Sequence, residues 1–185
     1  MNIPVLAGYL HAAMIAWSPI AAHDYTGVSR AETDDRYWSI AYDLEIVAGD
    51  PDEKPLFDGP TGRAQTALLM LAIASYESGG FRWDVDRQDK PTGDGGHAWC
   101  LAQVHDPYAR ELVKLGPDGR ISCFRAELHA LRDSWNMCKT DSWDVAYHLT
   151  GYTVGHCEAY EPESIHRAKR ALTWWSAAPW LPPVD

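Results

Sequence analysis

Glu77 ends an apolar run, QTALLMLAIASYE at residues 65–77, that Gly79-Gly80 then stops. The run is hydrophobic on nearly all sides, as expected of a helix buried at the centre of a domain. A carboxyl in the last turn of such a helix meets the negative end of the peptide dipoles and loses water, and both effects favour its protonated form. An acid that keeps its proton near neutrality can protonate a leaving oxygen, which glycosidic cleavage requires. The other reading of Glu77 is a solvated glutamate at a helix end.

Further along stand groups that could serve such an acid. Gln103 both donates and accepts, which suits an acetamido or hydroxyl group, or equally a cap or surface amide. Tyr152 could bring a phenol to a sugar or to the acid, or sit in the core with its hydroxyl satisfied. Ser78 is expected to hydrogen-bond beside the acid, with no His and Asp arranged to make it a nucleophile. Trp83 and Trp99 bracket the loop between Glu77 and Gln103, where their rings could stack on sugar faces or fill the core. Inverting hydrolysis needs a second carboxylate about 6.5–9.5 Å from the first. Asp84, Asp86, Asp89 and Asp94 are the candidates, each also readable as part of a solvated acidic loop.

Three segments together carry a resemblance: Glu77-Ser78, then Cys100-Leu101-Ala102-Gln103, then Tyr152 with Gly155. In order and spacing the region of about 66–157 resembles the lytic transglycosylase branch of the lysozyme-like superfamily, relatives of goose-type lysozyme. That family carries Glu-Ser at the end of a buried helix, Gly-Leu-Met-Gln after a loop, and Tyr-Asn-x-Gly near a later helix. Here Cys100 and Ala102 stand in place of the Gly and Met, and Thr153 in place of the Asn. The resemblance implies cleavage of the MurNAc–GlcNAc bond of peptidoglycan, with Glu77 as catalytic acid and Ser78, Gln103 and Tyr152 against substrate. It favours a single-acid transglycosylase; a muramidase using a loop aspartate, and a non-catalytic wall-binding or virion module of the same fold, are the alternatives. A cysteine-bearing phage and bacterial subset of the family further implies Cys138 bonded to Cys157, leaving Cys100 with Cys123.

The elements that must position these groups read as helices, so the fold expected is mainly α: one lysozyme-like domain over 1–185, with a long loop or small hairpin at 82–98. The apolar stretch 4–17 reads as an amphipathic first helix or as a signal-peptide core, and is too short to span a bilayer. Tyr37, Ile40, Ala41, Leu44, Val47 and Ala48 repeat at helical spacing behind a cap expected at Asp34. Shorter patterns follow at 106–115, 122–138, 142–150 and 163–177, and the proline-rich 178–185 is a tail.

Composition bounds the rest. A chain of 185 residues can bury roughly 70% of its unfolded surface, so its core requires neither metal nor disulfide. The four cysteines lack the close pairs of a zinc site, so two disulfides in an oxidising compartment such as periplasm, virion or medium are expected over four free thiols. A formal charge of −10 and no basic run argue against nucleic-acid binding. Asp84-x-Asp86-x-Gln88 opens like a calcium loop, but Asp89 stands where Gly is needed and Gly95 where Glu is needed, so neither metal nor cofactor is expected. Nine Trp and nine Tyr stand against three Phe, and seven of the Trp (Trp17, Trp38, Trp135, Trp143, Trp174, Trp175 and Trp180) are expected to pack the scaffold.

Overall fold

In the computed structural model the described residues are 3–20, 27–86, 93–105, 119–139 and 144–177. They are mainly helical: α1 (Ile3–Trp17), α2 (Arg30–Gly49), α3 (Gly62–Glu77), a single turn α4 (Trp83–Asp86), α5 (Gly119–Met137), α6 (Val145–Val154) and α7 (Pro162–Ser176). A two-stranded antiparallel hairpin, β1 (Ala98–Trp99) and β2 (Val104–His105), lies between α4 and α5. The patterns at 106–115 and in the tail, and Trp143 and Trp180, lie outside the described residues.

α3 is the axis of the molecule. Every residue from 66 to 75 is buried, because α1, α2 and α7 pack around the helix and α5 touches it from a further side. The run at 4–17 is an integral helix whose Leu6, Ala7, Leu10, Ala13 and Met14 enter the same core. α2 begins four residues before the expected cap: Ser29 caps it, accepting from the Glu32 amide while Glu32 bonds back to the Ser29 amide. This reciprocal box satisfies two orphan donors at once, which Asp34 would not do. α6 likewise starts at Val145, capped by Asp144, and runs on to Val154.

The hairpin falls at 98–105, with Ala98 also bridged to Gly93, so that Cys100-Leu101-Ala102-Gln103 forms its four-residue turn. Both ends of that turn take left-handed backbone, Cys100 at φ 59° and Gln103 at φ 47°. Non-glycine residues adopt that region only when surrounding structure holds them there. Here the holding parts are the Cys100–Cys123 disulfide to α5 and the bond from Gln103 Nε2 to the Cys100 carbonyl, 2.7 Å.

The second disulfide joins Cys138 to Cys157, so both cystines implied by the family resemblance form, and no free cysteine remains among the described residues. Two disulfides fit an oxidising compartment. No helix among the described residues is long and apolar enough to cross a membrane. Closing a 19-residue separation, the Cys138–Cys157 bond is expected to contribute about 3 kcal/mol. The Cys138→Ser/Cys157→Ser double variant should show that loss in urea unfolding at pH 7, and an unchanged midpoint would contradict it.

Candidate active site

α3 ends at Glu77, and the turn after it is closed by Ser78. The Ser78 hydroxyl donates to the Ala74 carbonyl at 2.6 Å and accepts from the Phe81 amide at 2.8 Å. With 2% of its surface exposed, Ser78 is a helix-end clasp, which corrects its expected place among the substrate contacts. Gly79, Gly80 and Phe81 all follow at positive φ, and the Phe81 ring is driven into the core against Tyr37.

Glu77 keeps 20% of its side chain exposed and pairs through Oε1 with Arg167 Nη2 of α7. Burial pushes its carboxyl above the ordinary value; the Arg167 cation and hydrogen bond oppose this, Glu163 adds to it, and His105 opposes it more weakly. Arg167 is itself buried, with its guanidinium over the Tyr76 ring at 4.3 Å and 3.4 Å from Glu163. Glu77 is therefore a desolvated acid held on one oxygen, with the other free to carry a proton.

A cleft of about 410 Å³ runs between the hairpin and the α5–α6 corner; Glu77 is not among the residues that line it, but its charge acts on Tyr152 and is acted on by His105, one on each wall. Gln103 and His105 line one wall, Tyr152, Thr153 and Gly155 the other. A Cβ on Gly93 would come within 2.2 Å of Gln103 Oε1, so a side chain there would push that amide from its present place. The Tyr152 hydroxyl donates to the Ala102 carbonyl at 2.6 Å, tying α6 to the hairpin turn. Its phenol is pushed well above the usual range by burial, then by the charges of Glu127 and Glu77, so it acts as a neutral donor. Thr153 bonds Ser164 at 2.7 Å and joins α6 to the cap of α7. The structure thus brings Glu77, Gln103 and Tyr152 to one region.

The other expected residues separate from them. Asp86 is 8% exposed and bound by Arg36 at 3.3 Å and by Arg120 at 2.8 and 3.0 Å. It is the hub joining α2, α4 and α5, which corrects its reading as a second carboxylate. Asp84 is exposed and gripped by Arg82 through two bonds, one of 3.0 Å, which holds its carboxyl below the usual value. Asp94 is solvent-exposed and 3.5 Å from His105 at the cleft mouth, and Asp89 lies outside the described residues. Trp83 is half-buried with the Arg36 guanidinium 5.1 Å above its ring, at the α2–α4 corner and away from the cleft. Trp99 is half-buried in β1 and does not line the cleft either.

Sequence reasoning missed two residues of this region. Glu127 of α5 is fully buried, and neither of its carboxyl oxygens has a partner among the described residues. Burial, and then the charge of Glu77, push it well above the ordinary value. It lies on the stripe of α5 that continues through Ala130 and Ser134 to the cleft. Arg167 sits on the buried stripe of α7 with Ser164, Ala168 and Ala171. A charge set inside a helical apolar stripe was the available signal for both.

No family model matches the sequence, and no curated protein and no solved structure matches it.

Proposed function

We propose that this chain cleaves the MurNAc–GlcNAc β-1,4 bond of peptidoglycan as a lytic transglycosylase, with Glu77 as acid and then base. The observation that carries the reading is a desolvated glutamate at the end of the central helix whose charge acts on Tyr152, a wall residue of the cleft that Gln103 also lines. Protonated Glu77 gives its proton to the glycosidic oxygen, and the C1–O bond breaks. The sugar's acetamido oxygen stabilises the cation at C1. The Glu77 carboxylate then takes the proton of the 6-hydroxyl, and O6 closes on C1 as a 1,6-anhydro ring, so no water is consumed. Arg167 fixes one carboxyl oxygen throughout, Gln103 offers its amide to the glycan, and the Tyr152 oxygen, its proton donated to the Ala102 carbonyl, can accept from a sugar hydroxyl.

Of the loop aspartates among the described residues, Asp94 is the one left to the hydrolytic alternative, because Arg36 and Arg120 occupy Asp86 and Arg82 occupies Asp84. In either form the work is done in periplasm, medium or virion, where the two disulfides persist and peptidoglycan is reached. Incubation with purified sacculi tests the reading. Soluble muropeptides are expected in the supernatant; sacculus binding with no release would make the chain a wall-binding module.

The Arg167 pair sets a direction for pH. The guanidinium favours the carboxylate, so removing it in Arg167→Met should raise Glu77 further and keep it protonated to higher pH. The alkaline limb of sacculus solubilisation then moves upward relative to wild type. A limb that stays in place or moves down contradicts the assigned coupling.

A further inference from the structure

A second cavity, of about 360 Å³, is formed by the residues that flank Glu77 in the chain, Ser75, Tyr76, Gly79 and Gly80, together with Trp17 and Arg170. It shares no residue with the Gln103–Tyr152 cleft. Arg170 lies one turn beyond Arg167 on α7, half-buried, with its guanidinium 5.4 Å from the centre of the Trp17 ring and Nη1 bonded to Ser75 Oγ at 2.7 Å.

Arg36, Arg82, Arg120, Arg125, Arg132 and Arg167 each reach a carboxylate. Arg63 instead gives its Nη1 to the Ala48 and Asp50 carbonyls, and Arg170 is the arginine that lines a cavity with no carboxylate in the lining. Arg170 bonds Ser75 alone among the described residues, in a protein of formal charge −10 where acids outnumber bases. A guanidinium has five N–H donors in a planar fork that fits a carboxylate in two parallel bonds. The wall is fixed, since Ser18 donates to the Gly80 carbonyl at 2.8 Å. The floor is kept bare by Gly79 at φ 62° and Gly80 at φ 88°, where side chains are disfavoured. The cavity is shallow and open to solvent.

We propose that this cavity binds a carboxylate, with Arg170 forking the two oxygens and the Trp17 indole covering the adjoining apolar carbons. On the peptidoglycan reading above, on which the biological source of the ligand rests, the carboxylate is borne either by the lactyl group of a muramic acid or by the stem peptide, and the cavity adjoins the cleavage site through Tyr76 and Arg167. A polyphosphate is disfavoured by the acidic surface.

The test is an NMR titration of the full chain that follows the arginine Nε–Hε signals, with N-acetylmuramic acid, L-alanyl-D-glutamate and N-acetylglucosamine as separate probes. At least one of the two acids should shift the Arg170 signal and bind at least tenfold more tightly than the neutral sugar. Arg170→Gln should abolish that preference, and Arg170→Lys should weaken it. Binding of the sugar acid alone assigns the lactyl source, and binding of the dipeptide alone the peptide source. If neither acid moves the Arg170 signal, or if Arg170→Gln binds them undiminished, the site is wrong. The titration requires no turnover, so a chain that binds carboxylates and releases nothing from sacculi overturns the enzymatic reading and keeps the site.

Discussion

Glu77→Gln is expected to fold, to retain its glycan contacts and to lose solubilisation of sacculi by about 10²–10⁴-fold, the range a positioned general acid supplies. The amide keeps the shape and can still accept from Arg167, but it can neither donate the acid proton nor receive the 6-hydroxyl proton. The buried Arg167 loses its charge partner and keeps Glu163 at 3.4 Å and the Tyr76 ring, so the variant should unfold somewhat below wild type while remaining native at 25 °C. Circular dichroism and sacculus sedimentation check folding and binding; turbidity clearing checks activity. A folded Glu77→Gln protein that clears sacculi at the wild-type rate removes Glu77 from the chemistry.

Replacing Glu127 should have the opposite character, a gain in stability. Its carboxyl is fully buried with both oxygens unpartnered among the described residues, and such a group costs about 1–3 kcal/mol. Its folded-state pKa lies above the unfolded value, so the folded chain holds a proton that the unfolded chain releases. Stability from this group is therefore full below the ordinary glutamate value and falls as pH rises from there toward the raised folded value. Glu127→Leu should unfold at higher urea than wild type at pH 7, by the equivalent of about 1–3 kcal/mol, with a smaller gain at pH 4. Glu127→Gln, which removes only the ionisation, should show the same pH trend. A destabilised Glu127→Leu protein at pH 7, or a gain that grows toward pH 4, contradicts this assignment. The cost of keeping Glu127 falls beside Glu77 and Tyr152, where polar strain is retained for function in many proteins.

The helices could be read from the chain because their apolar spacing is strong. α3 was legible almost to the residue, since nothing but burial on all sides explains its composition. Boundaries drifted where side chains decide them: the Ser29–Glu32 box sets the start of α2, and it competes with an equally plausible Asp34. The hairpin was expected inside 82–98 and lies at 98–105, because its pairing depends on left-handed backbone at Cys100 and Gln103, which no local propensity announces.

Within the site, Glu77, Gln103 and Tyr152 were found by chemistry and order along the chain. Asp86 was not separable from Asp84 and Asp94, since its arginine partners come from positions 36 and 120, far away in sequence. Ser78 looked available because a hydroxyl that caps a helix from the inside reads the same as one that faces a ligand. Trp17 was assigned to packing and is only partly so: it meets Trp174 edge-on and also lies beneath Arg170 in a cavity. Trp38, Trp135, Trp174 and Trp175 do hold the scaffold, through contacts with His11, with Phe57 and His148, with Tyr9, and with Phe57 in turn.

The single-acid mechanism makes its sharpest statement about the ends it leaves. Mass spectrometry of the muropeptides released from purified sacculi by the wild-type chain should find them terminated by 1,6-anhydro-MurNAc, lighter by one water than a reducing end. Products with reducing MurNAc ends, or no soluble products at all, would contradict it.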